Sequence, residues 1–152
     1  MPPLPNIPEV PLEGLYGQVI LDHYRNPRHR TPLPDADIEI EEFNPFCGDR
    51  VRLQIKLDDD HHVAQVCAFA EGCSIIQASA SMMADSMEGK TLPEMSELSK
   101  AFHHMMQGKQ AVKVDGLEEL EPLEVVRRYP VRIKCALLPW TALEEGIEGL
   151  KG

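Results

Sequence analysis

Residues 37–73 decide the fold, and they read DIEIEEFNPFCGDRVRLQIKLDDDHHVAQVCAFAEGC. Apolar and polar residues alternate in three successive runs within this segment, a pattern typical of strands with one buried face. The runs predict strands over Asp37–Phe43, Arg50–Leu57 and His61–Phe69. Because the links between them are short and polar, the sequence predicts an antiparallel meander.

Apolar residues at helical spacing dominate on both sides of this segment. The predicted helices are Leu12–Asn26, Ile75–Met87, Leu92–Met106 and Ala136–Ile147, with a short helix from Leu117 inside the charged stretch Gln110–Arg128. Proline or glycine follows each long helix before the last, at Pro27, Gly89 and Gly108. The predicted fold class is therefore α+β, a three-stranded antiparallel sheet with helices packed on one face.

The bulk composition predicts one domain, residues 12–152, behind a flexible tail of residues 1–11 that holds five prolines. Hydrophobic residues make up 43% of the 152-residue chain, which is enough for a core. The first residues lack the basic and apolar regions of a signal peptide, and no apolar run reaches the roughly 20 residues of a membrane span. We expect a cytoplasmic protein with no membrane partner, whose thiols are reduced.

The formal net charge of −10 limits the choice of partners. A protein that binds nucleic-acid phosphates needs a basic stripe, so we expect no nucleic-acid partner. An acidic surface suits a protein partner with a positive docking surface.

One loop between two predicted strands carries a thiol and a carboxylate. Cys47 and Asp49 are two positions apart, so in extended backbone their side chains point to the same side. Gly48 between them adds no side chain that would block a close approach. Both groups can therefore face one ion.

The remaining cysteines fall into two kinds. Cys73 opens a predicted helix, where unpaired backbone N–H groups favour a thiolate. Cys135 is predicted just before the last helix, and the cations of Arg132 and Lys134 should also favour its thiolate. Cys67 lies within the third strand and is predicted to be a packed thiol without a chemical role.

Three thiolates and one carboxylate form a plausible tetrahedral set for zinc, and the same soft ligands suit an iron–sulfur cluster. The ligands are far apart in the chain and match no generic zinc pattern. Spacing alone therefore leaves open a set of unrelated reduced cysteines, or two disulfides.

Ordered sequence blocks resemble the U-type scaffold proteins of iron–sulfur cluster assembly, and most closely their SufU branch. The resemblance covers about Leu15 to Ile147. It is carried by Asp22-His23-Tyr24-Arg25-Asn26-Pro27-Arg28, Asn44-Pro45-Phe46-Cys47-Gly48-Asp49, Glu71-Gly72-Cys73-Ser74-Ile75, Met105-Met106-Gln107-Gly108-Lys109 and Pro130-Val131-Arg132-Ile133-Lys134-Cys135-Ala136.

This resemblance implies the SufE/NifU-like form of the fold and the metal ligands Cys47, Asp49, Cys73 and Cys135. It implies a pyridoxal-phosphate cysteine desulfurase of the SufS type as partner, with a downstream cluster scaffold or apo-proteins as recipients. Cys47 would leave the ion when the desulfurase offers a histidine, and would then accept persulfide sulfur. Apart from the resemblance, Arg132 is a candidate contact for the partner or the anionic sulfur, and the alternative is a solvated loop arginine.

Two features favour the sulfur-transferring branch. Lys134 stands where the scaffold branch has a histidine before its last cysteine, and the chain between Gly108 and Pro130 is long. We therefore expect a zinc-dependent sulfurtransferase that uses Cys47. The alternatives are a scaffold for a transient [2Fe–2S] cluster and a zinc-stabilised adaptor that only activates the desulfurase.

Overall fold

The computed structural model describes residues 14–44, 48–109 and 114–151. Its elements are α1 Gly14–Arg25, β1 Ile38–Asn44, β2 Asp49–Leu57, β3 Val63–Glu71, α2 Ser74–Met87, α3 Leu92–Met106, α4 Leu117–Leu120, a 3-10 helix Glu121–Arg128 and α5 Pro130–Lys151. The predicted tail, residues 1–11, and Cys47 lie outside the described residues. No helix in the described ranges is long and apolar enough to cross a membrane.

The strands form one antiparallel sheet in the order β1-β2-β3. Ile38 pairs with Ile55 across the first ladder, and Leu53 pairs with Ala68 across the second. This register sets the apolar side chains of neighbouring strands on the same face. The predicted α+β meander is confirmed.

The two faces of the sheet are covered differently. Val51, Leu53 and Ile55 of β2 are fully buried in the core together with side chains of the helices. On the opposite face, backbone groups of Leu33 bond to the Gln54 side chain, and the Arg30 guanidinium lies 4.5 Å from the Phe69 ring centroid. The helices therefore pack on one face, as predicted, and a loop partly covers the other.

Two helices end or begin as their sequences predict. Gly89 and Gly108 follow α2 and α3 with φ angles of +82° and +76°, a conformation that glycine adopts without strain. At the start of α3, the Thr91 side chain accepts from the Glu94 N–H, and the Glu94 carboxylate accepts from the Thr91 N–H.

The last helix begins six residues before the predicted start at Ala136, so that prediction was wrong. Proline is well suited to the first position of a helix, because the N–H that it lacks has no intrahelical partner there. Pro130 therefore begins α5 rather than interrupting the chain. As a consequence, Cys135 lies within the helix and not before it.

The third strand is also displaced from its predicted bounds. It spans Val63–Glu71 instead of His61–Phe69. His61 has a φ angle of +63°, which belongs to a turn rather than to a strand. At its other end, the strand continues to Glu71, next to Gly72, and α2 begins at Ser74.

The close approach of α5 to β1 yields a test of the fold. A Cβ atom at Gly146 would lie 2.7 Å from Cγ2 of Ile38, whereas one at Gly149 would meet nothing within 4 Å in the described part of the chain. We expect Gly146→Ala to lower the free energy of unfolding by about 1–3 kcal/mol through overpacking. Gly149→Ala, in the same helix, should raise it by about 0.5–1 kcal/mol.

Denaturant unfolding of the two variants beside the parent protein checks this. Equal stabilisation by both substitutions would contradict the close helix–strand contact.

Candidate metal centre

Asp49 is the buried carboxylate of the centre. It is the first residue of β2 and shares the inward register of Val51 and Leu53, which explains why its exposed fraction is 0%. Its Oδ1 accepts a hydrogen bond from the Cys73 N–H at 3.4 Å. Its Oδ2 is buried and has no hydrogen-bond partner among the described residues. Such an oxygen is costly to bury unless something compensates its charge.

Gly72 makes the space for this carboxylate. The β2–β3 register pairs Arg50 with Glu71, and its next step sets Gly72 opposite Asp49. A Cβ atom at Gly72 would lie 2.1 Å from the Asp49 Oδ1, and its φ angle of +136° also favours glycine. Sequence reasoning assigned no role to this glycine, although a glycine directly before a helix-opening cysteine was the available signal.

Cys73 is the N-cap of α2, so the prediction that it opens a helix is confirmed. A hydrogen bond from Cys135 lowers the pKa of the Cys73 thiol to about 7, against the opposing effect of burial. The backbone N–H of Ile76 and the charge of Arg132 act in the same downward direction. Of the three cysteines that the structure describes, Cys73 is therefore the one most easily held as a thiolate.

Cys135 behaves differently from the prediction. Its side chain is fully buried in α5, with Sγ 3.8 Å from the carbonyl oxygen of Val131. The hydrogen bond to Cys73 raises the pKa of the Cys135 thiol. Burial and the negative charge of Asp49 act in the same direction. We expected Arg132 and Lys134 to favour the Cys135 thiolate, and that direction was wrong, because Cys73, burial and Asp49 all raise its pKa.

The ligand atoms of Asp49, Cys73 and Cys135 all lie within 4.8 Å of one another. Tetrahedral zinc with Zn–S bonds of about 2.3 Å places two sulfurs about 3.8 Å apart, so small side-chain rotations are sufficient to gather the three groups. A cation would pair the orphaned Asp49 oxygen and displace the proton shared by the thiols. The donor set thus fits a zinc ion.

Arg132 lies on the same side of α5 as Cys135, three residues away. Its exposed fraction is only 8%, and its charge acts on Cys73. Lys134, by contrast, is exposed. Arg132 is therefore the cation of this pair that faces the centre.

The structure describes one of the other two cysteines. Cys47, predicted as the reactive thiol and a ligand, is outside the described residues. Cys67 is 4% exposed and alternates with the inward residues Val66 and Ala68, so it lies on the opposite face of the sheet. Burial raises the pKa of its thiol, in keeping with the predicted packing role.

Two histidines and four methionines take structural positions. His23 Nδ1 lies 2.9 Å from the Ser81 hydroxyl, and His103 Nδ1 lies 2.8 Å from the carbonyl oxygen of Ser99. No histidine joins the three candidate ligands within the described ranges. Met82, Met83, Met105 and Met106 are buried in the core.

Comparison with known proteins finds a matching family and similar relatives. Residues 15–150 match the family model described as NifU-like N terminal domain. The chain is 46% identical over 142 residues to the zinc-dependent sulfurtransferase SufU of Bacillus subtilis, covering 93% of this chain and 95% of that protein. It is 37% identical to the iron–sulfur cluster assembly scaffold protein IscU of Streptococcus pyogenes, covering 90% and 85%.

Solved structures show the same fold. FiSufU of the SUF system from Fervidobacterium islandicum has a TM-score of 0.80 at 32% identity, covering 86% of this chain and 94% of its own. A NifU-like protein (N-terminal) from Brucella abortus also has a TM-score of 0.80, at 25% identity, covering 90% and 94%. The chain therefore belongs to the family of NifU-like N-terminal domains, the U-type proteins of iron–sulfur cluster assembly.

Proposed function

We propose that this protein is a zinc-dependent sulfur acceptor in iron–sulfur cluster assembly. It would take persulfide sulfur from a cysteine desulfurase of the SufS type onto Cys47 and pass it to a downstream cluster scaffold or to apo-proteins. The observation that carries the proposal is the cluster of Asp49, Cys73 and Cys135, in which Asp49 and Cys135 are buried and one carboxylate oxygen has no hydrogen-bond partner among the described residues. The similarity to a named zinc-dependent sulfurtransferase supports it.

In this proposal, three residues hold the ion and Cys47 carries the sulfur. Asp49, Cys73 and Cys135 come from β2, α2 and α5 and would hold the ion, with Cys47 as a fourth ligand. A bound zinc ion keeps thiolates deprotonated at neutral pH and contributes to folding stability. Cys47 would be the ligand that leaves the ion and offers its sulfur to the partner.

Sulfur transfer itself needs no oxidant. The Cys47 thiolate attacks the outer sulfur of the desulfurase persulfide, a new S–S bond forms on Cys47, and the old S–S bond breaks. The desulfurase cysteine leaves as a thiolate, so one persulfide is consumed and one is made. Arg132, buried and cationic, would steady the anionic outer sulfur or contact the partner. We also propose a cytoplasmic location, because thiols stay reduced in that compartment.

The scaffold function for a [2Fe–2S] cluster is the second candidate, favoured by the similarity to proteins named IscU scaffolds. The same thiolates would ligate iron. The nature of the bound metal distinguishes the two candidates, since zinc leaves the protein colourless whereas a cluster absorbs visible light.

Transfer predicts a specific requirement for Cys47. In Cys47→Ser, mixing with a cysteine desulfurase and cysteine should give no mass increase of one sulfur atom on this chain. Stimulation of desulfurase turnover should also be lost. Cys67→Ser, on the other face of the sheet, should keep both properties. Mass spectrometry and sulfide release measure them, and full stimulation by Cys47→Ser would favour the adaptor instead.

Zinc binding predicts opposite effects of Asp49→Asn in the two metal states. Without metal, the substitution should raise the free energy of unfolding by about 1 kcal/mol, because it removes a buried charge with an unsatisfied oxygen. With zinc, it should lower stability, because a ligand is lost. Thermal unfolding with zinc and with a chelator, beside elemental analysis, tests both signs. Iron and sulfide in the fresh protein would support the scaffold, and unchanged melting with chelator would contradict a structural metal.

The space at Gly72 predicts a second loss of metal. Gly72→Ala should reduce the bound zinc, since the new Cβ displaces the Asp49 carboxylate. Gly89→Ala is the matched control, because it also has a positive φ angle but its Cβ meets nothing within 4 Å among the described residues. Metal content per chain of both variants is the measurement. Equal zinc in both would show that the Asp49 position is unimportant for the ion.

A further inference from the structure

α5 has a weak turn at the place where it carries Cys135. Pro139 lies inside the helix, four residues after Cys135. Proline has no N–H, so the carbonyl of Cys135 loses the donor that would normally hold it, and the ring crowds that same carbonyl. The turn that positions a candidate metal ligand is therefore held by fewer bonds within its own helix.

A hydroxyl from another helix reaches this turn. Ser79 of α2 donates a hydrogen bond to the carbonyl oxygen of Ala136 at 2.6 Å, and both residues have an exposed fraction of 0%. A serine inside a helix usually bonds to its own preceding turn. Ser86, in the same helix, does this with the carbonyl of Met83 at 2.7 Å. Ser79 instead bonds across the helix interface.

The bond joins the two helices that carry the sulfurs. Cys73 is the N-cap of α2, six residues before Ser79, and Cys135 directly precedes Ala136. A shift of α5 relative to α2 would change the separation of the two sulfurs. The Ser79 bond opposes such a shift, because breaking it would leave a buried hydroxyl without its acceptor.

We propose that Ser79 is a positioning residue, whose bond to Ala136 compensates the turn weakened by Pro139 and holds Cys135 at metal-binding distance from Cys73. This rests on the proposed metal function. Ser79 touches neither the ion nor the sulfur cargo, and it acts through the placement of Cys135.

The first experiment compares Ser79→Ala with Ser86→Ala. Each removes one buried hydroxyl–carbonyl bond of α2, and both should reduce the stability of the metal-free protein. Only Ser79→Ala should weaken zinc binding, by about threefold to tenfold, the loss expected for one net hydrogen bond. Competition with a chromophoric chelator gives the affinity. Equal affinity of the two variants, with equal destabilisation, would overturn the proposal.

A second substitution tests the link to the proline. Pro139→Ala restores an N–H opposite the Cys135 carbonyl. In Ser79→Ala/Pro139→Ala, the zinc affinity should recover most of what Ser79→Ala lost, so the double-mutant cycle should show coupling. Strictly additive effects of the two changes would overturn the compensation.

A third measurement tests the positioning role of Ser79 without using zinc. In a Cys47→Ser background, phenylarsine oxide should bridge Cys73 and Cys135 through two As–S bonds with release of water. Ser79→Ala should slow this bridging, and Ser86→Ala should not. If the parent protein takes up the arsenical but no zinc, the metal function fails while the positioning role is still measured. Equal bridging in both serine variants would refute the positioning role.

Discussion

The buried carboxylate of Asp49 is the constraint on which this structure depends. Its inward register on β2 places a charge among core side chains, with one oxygen bonded to the Cys73 N–H and the other without a partner among the described residues. An isolated buried carboxylate is strongly disfavoured. Two thiols beside it add further negative charge when they ionise, and a cation would compensate all three groups at once.

Several features of the fold serve this arrangement. Gly72 lacks the Cβ that would occupy the carboxylate's position, and β3 runs straight into α2 so that Cys73 takes the N-cap. Pro130 starts α5 early enough for Cys135 to face the same point from a regular helix. The ligands thus come from three elements that pack on one another, and the centre and the core stabilise each other.

The sequence predicted most of the fold because its strand alternation and helix periodicity are strong. It also nominated the three side chains that the structure brings together, Asp49, Cys73 and Cys135, whereas Cys47 lies outside the described residues. The start of α5 was missed because a proline suits both a break and the first turn of a helix. The raised pKa of Cys135 was missed because it depends on Asp49 and Cys73, which are distant in sequence and adjacent only after folding.

Under the proposed function Cys73 and Cys135 hold the ion while Cys47 carries sulfur, and the described geometry supports the holding role. Cys73 and Cys135 are fixed by a helix N-terminus and a helix interior, so moving either sulfur would disturb the packing of α2 or α5. Asp49 is fixed by the sheet register. These three groups can therefore leave the ion only by disturbing packed elements. If the ion needs only the three anchored groups to stay bound, Cys47, the proposed fourth ligand, can carry cargo without unfolding the protein.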